Sequence, residues 1–206
     1  MEINEIPLIK QCIFESFINN IDNKKLINEL NDFYLNMKSN TGSSGGLDMA
    51  FPIAGPESCR LMNEIKKRVE LIAGREMVCR EFWMFSMQAG GSVPRHNHKT
   101  NHQLHPEEYY SIAYYPVCPG DGANLNFIGN FCNTMESAVS VKSEEGKLII
   151  FNSFIDHYTD RHMSESKRIC ISANYKPVSP DRSLVSDWTR FAKPGVAEDT
   201  RLSKFS

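Results

Sequence analysis

Two spacings of hydrophobic residues divide the chain. In KKLINELNDFYLNM, residues 24–37, Leu26, Ile27, Leu30, Phe33, Tyr34 and Met37 recur every three or four positions, which lines one face of a helix. Asp22 or Asn23 stands where an N-cap is needed. In PESCRLMNEIKKRVELIAG, residues 56–74, the apolar row is Leu61, Ile65, Val69 and Ile72, and Gly74 is placed to end the helix. Lys66, Lys67 and Arg68 fall on the solvated side of that helix, and SNTGSSGGLD between the two helices reads as a flexible linker. From about Cys79 the period drops to two. EFWMFSMQ, YYSIAYYPV, ANLNFIG, SAVSVK, KLIIFNSF and RICISANY are short and rich in aromatic and β-branched residues. Turn signals at Gly90-Gly91, PGDG, GNFCN and EEG separate them. No helical pattern lies between these runs, so an antiparallel sandwich or barrel is predicted over a parallel α/β sheet. The expected organisation is a single domain: helical support over 1–78, a β core over 79–176, and a polar extension over 177–206 anchored by Trp188 and Phe191.

Composition narrows the function classes. The 206 residues are 41% hydrophobic and 23% charged, an ordinary globular balance that excludes wholesale disorder. A formal net charge of -2 argues against a partner such as duplex nucleic acid that is recruited by bulk positive charge. No run approaches the ~18–20 apolar residues that span a bilayer. The first residues, MEINEIPLIKQCIFESF, lack the basic n-region of a signal peptide, so a cytoplasmic protein is expected. The six cysteines are scattered without a CxxC pair and read as small hydrophobes rather than as a disulfide framework or a zinc site.

Four of the six histidines fall in RHNHKTNHQLH, as His96, His98, His102 and His105. Residues two apart on a strand face the same way, so His96 and His98 can present two imidazoles to one point. His157 follows the apolar run Leu148–Phe154, where a barrel brings the chain back to the same mouth. Metal ligation is one reading of the cluster, and a solvent-exposed polar loop is the other. His102 and His105 have the i, i+3 spacing of a helix but sit beside Pro106 and read as loop residues, yet either could take the third ligand position in place of His98.

Downstream, Arg168, Cys170, Ser172 and Asn174 share one face of a strand and Ile169 and Ile171 the other. If the isoleucines pack on the helices, Arg168 points into the barrel, where a guanidinium needs an anionic partner and a carboxylate ligand suits it. The alternative is a surface arginine at a strand start.

Taken in order, these residues resemble the iron(II)- and 2-oxoglutarate-dependent oxygenases, and within them a family common in phages and marine bacteria. The resemblance rests on Trp83 thirteen residues before His96, then Gly90, His96-Asn97-His98, and SIAYY ending at Tyr115. It continues through Leu125-Asn126-Phe127, EGKLIIFNSFIDH (145–157) and RICISAN (168–174), with Arg168 eleven residues after His157. It covers about 79–176. It implies a double-stranded β-helix (jelly-roll) with Fe(II) held by His96, His98 and His157. It further implies 2-oxoglutarate paired with Arg168, with Ser172 and Tyr115 donating hydrogen bonds, and O2 as cosubstrate. The implied reaction is hydroxylation of a peptidyl side chain or a small metabolite, with Trp83, Tyr109 and Asn174 as candidate pocket residues. Two features depart from the wider superfamily. Position 98 is His where most members carry a carboxylate in a two-His, one-carboxylate triad, and an insert containing His102, His105, Glu107 and Glu108 follows it. Asp156 is a further rival ligand that strand alternation aims away from His157. A three-His cupin-type enzyme that does not use 2-oxoglutarate, or a non-catalytic metal-stabilised barrel, remain the competing readings. Arg168 discriminates between these and an oxygenase.

Overall fold

The computed structural model describes residues 11–36, 49–50, 55–99, 108–120, 123–132 and 135–178. Six strands form one sheet in the order β1 (Ile13–Phe17), β7 (Lys147–Asn152), β4 (Tyr110–Val117), β9 (Arg168–Pro177), β3 (Met77–Met87) and β2 (Met49–Ala50). Three more form a second sheet in the order β6 (Met135–Val141), β5 (Leu125–Cys132) and β8 (Asp156–Thr159). All pairings are antiparallel. The two layers close into a double-stranded β-helix: the period-two runs predict its antiparallel strands, and the family resemblance implies its form. Each of those runs is a strand. Three elements did not announce themselves: β1 and the two-residue β2 lie in what reads as helical support, and β8 is only four residues, DHYT.

Helices α1 (Asn23–Asn36) and α2 (Pro56–Ala73) pack on the large sheet. Leu26, Leu30, Leu61, Ile65 and Val69 meet Ile112, Tyr114, Ile150, Ile169, Ile171 and Ala173 in one apolar cluster. The other face of the same strands supplies the barrel interior, where Ala113, Tyr115, Ile149, Phe151 and Cys170 meet Leu125 and Phe127 of β5. Strand alternation thus places the isoleucines of β9 under the helices and turns Arg168, Cys170, Ser172 and Asn174 inward.

The helix ends are built from side chains. Asp22 caps α1 by accepting from the Lys25 amide at 3.0 Å. The first amides of α2, at Glu57 and Ser58, donate to the Glu29 carboxylate of α1 at 3.0 Å each, so one helix caps the other. Gly74 ends α2 at φ 65°, a left-handed conformation suited to glycine. Among the described residues no helix is long and apolar enough to cross a membrane. Cys12, Cys59, Cys79, Cys118 and Cys170 are free thiols. The linker 39–48, His102, His105, Glu107 and the extension from Ser179, with Trp188 and Phe191, lie outside the described residues.

Candidate active site

The candidate metal centre sits where the two sheets approach at one end of the barrel. After Gly90-Gly91 the chain runs alongside β8, with His96 N–H donating to His157 O at 3.0 Å and His157 N–H to His96 O at 2.8 Å. A further bond from His98 N–H to Ser153 O at 2.8 Å fixes the next turn of this segment. These backbone bonds bring the imidazoles of His96, His98 and His157 together. One ring nitrogen of each lies within 4.8 Å of the others. His157 is buried, packed between Phe151 and Phe127, while His96 is the most open of the three.

The hydrogen bonds on the far ring nitrogens decide what the near ones can do. His96 Nδ1 is 2.8 Å from Pro94 O and His157 Nδ1 is 2.9 Å from Ile155 O. A carbonyl only accepts, so both Nδ1 atoms carry the proton and both Nε2 atoms keep a bare lone pair. His98 Nδ1 contacts Asn174 Oδ1 at 2.7 Å and Ser111 Oγ at 2.9 Å. The donor set therefore fits one divalent metal of the Fe(II) type, for which imidazole is a suitable ligand.

Burial also keeps the rings of His157 and His98 neutral. It lowers the pKa of His157 to about 3, and it lowers that of His98 as well. An unfolded chain binds protons at these rings near pH 6.5, whereas the folded metal-free protein resists them. Their neutrality therefore costs no stability above pH ~6.5 and costs progressively more as pH falls from there toward 3. Chelator-treated protein should lose urea resistance between pH 7.5 and 5.5, with up to ~1.4 kcal/mol per pH unit from one such ring. His157→Gln should flatten that slope. An unchanged slope in the variant would show that His157 is not held neutral by its surroundings.

Arg168, at the start of β9, is 1% exposed. Its Nη2 donates to Ser143 Oγ at 3.1 Å, and its guanidinium lies 4.6 Å from the centre of the Tyr115 ring. Its Nε has no hydrogen-bond partner, and no described carboxylate pairs with it. The Tyr115 hydroxyl is also buried without a well-formed hydrogen bond, although Ser143 is near enough to influence it. A buried cation with open donors beside a buried open hydroxyl suits an anionic ligand such as a carboxylate. Ser172 lies farther along β9, its Oγ 3.6 Å from Cys170 Sγ.

A cavity of about 750 Å³ joins these groups, and His96, His98, His157, Arg168, Tyr115 and Ser172 all line it. Trp83 lines it too, edge-on to His98 with ring centres 5.4 Å apart, and so does Asn174. Tyr109 does not: its contribution is a backbone carbonyl that accepts from Ser153 N–H at 2.9 Å. Asp156 turns away from the histidines, as alternation on β8 requires. It accepts from Asn97 Nδ2 at 2.6 Å and pairs with Arg95 at 2.8 Å. Glu108 is occupied by Arg75 at 2.9 Å. Sequence reading missed Glu81, Ser111, Ser143 and Ser153. These are ordinary polar residues in strands and turns, and only strand register brings them to the site.

Residues 81–174 match a family model described as "Putative 2OG-Fe(II) oxygenase". No curated protein sequence matches the chain significantly. Among solved structures, the non-heme α-ketoglutarate-dependent epimerase SnoN of nogalamycin biosynthesis aligns at a TM-score of 0.65 and 13% identity, over 80% of this chain and 77% of its own. HygX of Streptomyces hygroscopicus, solved with nickel and 2-oxoglutarate, aligns at 0.58 and 14% identity, over 82% and 83%. A Pseudomonas putida prolyl-4-hydroxylase aligns at 0.56 and 12%, over 81% and 93%. At such identities the structural likeness speaks for the fold. The family match runs from Glu81 through His96, His98, His157 and Arg168 to Asn174, so the segment that carries the whole candidate site matches the Fe(II)- and 2-oxoglutarate-dependent oxygenases.

Proposed function

We propose that this protein is an oxygenase that hydroxylates an unactivated C–H bond of a peptidyl side chain or small metabolite, with the metal on His96, His98 and His157 and 2-oxoglutarate on Arg168. The observation that carries this reading is the buried guanidinium of Arg168, lacking a carboxylate partner and opening on the cavity that the three histidines line. A barrel with a purely structural metal has no use for that cation. When bound, Fe(II) with 2-oxoglutarate and O2 supplies the oxidant, and 2-oxoglutarate leaves as succinate and CO2.

The protein's own part is to bind, orient and exclude water. The imidazoles of His96, His98 and His157 would hold the metal where they line the cavity. Arg168 offers two or more parallel donors to the far carboxylate of 2-oxoglutarate, and the Tyr115 hydroxyl adds one from the neighbouring strand. Ser172 lies between that anchor and Asn174 on the same face of β9, within reach of the body of a bound cosubstrate. Trp83 and Phe85 give the rest of the cavity an aromatic wall for an apolar part of the substrate.

The test is turnover in air with Fe(II), 2-oxoglutarate and pooled peptides and metabolites. Hydroxylation predicts succinate formation coupled to a substrate that gains one oxygen. Succinate coupled to a product of unchanged mass, or to one that has lost two hydrogens, would overturn hydroxylation while leaving the oxygenase class intact. No 2-oxoglutarate consumption at all would favour the cupin-type reading.

A further inference from the structure

The three histidines are not held alike. The Nδ1 protons of His96 and His157 are fixed by backbone carbonyls two residues earlier, which cannot exchange donor for acceptor. His98 Nδ1 instead meets a primary amide, Asn174, which presents an acceptor if its oxygen faces the ring and a donor if its nitrogen does. Something must choose between these orientations, because a donating amide would place the ring proton on Nε2 and block the lone pair that a metal needs.

The strand register supplies the choice. Asn174 on β9 stands opposite Glu81 on β3 and opposite Ser111 on β4. A register shift between Cys79 and Glu81 sets the first of these pairings. The Glu81 carboxylate only accepts, and it takes a hydrogen bond from Asn174 Nδ2 at 2.8 Å. Nδ2 therefore points to Glu81 and Oδ1 to His98. On the other side Ser111 Oγ donates to Asn174 Oδ1 at 2.7 Å and shares a 2.9 Å bond with the buried Ser153 hydroxyl. Every link agrees with the others, and the sense of the chain begins at the carboxylate.

We propose that Glu81 is a positioning residue of the metal centre: acting through the Asn174 amide, it fixes the tautomer of His98 that leaves Nε2 free for the metal. This rests on the reading of His98 as a ligand. The same chain of bonds supplies a negative charge one amide removed from His98, the ligand that stands where most of the superfamily carries a carboxylate.

The experiment reads the tautomer directly, by nitrogen-15 NMR of histidine-labelled, chelator-treated protein at pH 8. The parent should show His98 protonated on Nδ1. Glu81→Gln retains an acceptor oxygen and should keep that tautomer, with Co(II) affinity within about threefold of the parent. Glu81→Lys can only donate, so the amide turns over. His98 should then shift to the Nε2–H form, and Co(II) affinity should fall about 10–100-fold with His96 and His157 unchanged in the spectrum. Swapping the two groups, in E81Q/N174D, places a carboxylate directly on His98 Nδ1 and should restore both readouts. An unchanged His98 tautomer in Glu81→Lys, or a loss of affinity without a tautomer change, would overturn the proposal. A parent that binds no Co(II), or that binds it undiminished after His98→Ala, would instead overturn the reading of His98 as a ligand.

Discussion

Arg168→Met is expected to raise the concentration of 2-oxoglutarate needed for half-saturation by at least about 100-fold, with Fe(II) affinity within about threefold of the parent. The magnitude follows from two charge-assisted hydrogen bonds at ~1.5–3 kcal/mol each, against 1.4 kcal/mol per tenfold in affinity. Arg168→Lys retains the charge but loses the planar fork, and should fall between the two. Stability should move the other way. In the parent the guanidinium is buried without a counter-ion, which is costly, and methionine fills similar space with no charge to desolvate. The metal-free variant should therefore melt no lower than the parent, while 2-oxoglutarate raises the melting temperature of the metal-loaded parent alone. Isothermal titration and thermal shift check the two halves. Equal 2-oxoglutarate affinities in parent and variant would remove the reason for calling Arg168 the cosubstrate anchor.

The second large effect is at His157. It is the most buried ligand and the one bonded through its backbone to the segment that carries His96. His157→Ala should weaken Fe(II) binding by more than the 10–100-fold seen when only a supporting partner of a ligand is lost, and 2-oxoglutarate turnover should fall to background. The truncation also leaves a space beside Phe127 and Phe151, so circular dichroism must show the fold retained. Restoration of metal binding by added imidazole would place the loss on the missing ligand rather than on packing. Undiminished metal affinity in this variant would mean that the metal binds elsewhere.

Much of this site is legible in the sequence because two periodicities carry it. The apolar face of RICISANY, once assigned to the helices, forces Arg168 inward, and the return of KLIIFNSF to the barrel mouth brings His157 to His96 and His98. Asp156 could be set aside on alternation alone, and the structure finds it paired with Arg95 and Asn97. What escaped sequence reading depends on pairing between distant segments. β1 is visible only as the partner of β7, and β8 is too short and polar to stand out until β5 is beside it. Glu29 gives no sign in the sequence that it caps the other helix. Glu81 looks like a solvent-facing strand residue, and its role depends on a register shift one position earlier. Asn174, read as part of the pocket, does line the cavity, but its amide is engaged by His98, Ser111 and Glu81.

One spectrum tests the three-histidine and Arg168 site most directly. Under anaerobic conditions the protein with Fe(II) and 2-oxoglutarate should develop the weak visible charge-transfer band of the metal–keto acid chelate, saturating at one iron per chain. The band should be absent in His157→Ala and should need at least about 100-fold more 2-oxoglutarate in Arg168→Met. A parent that binds Fe(II) yet shows no band, or an Arg168→Met variant that saturates at the parent's concentration, would contradict that assignment of the site.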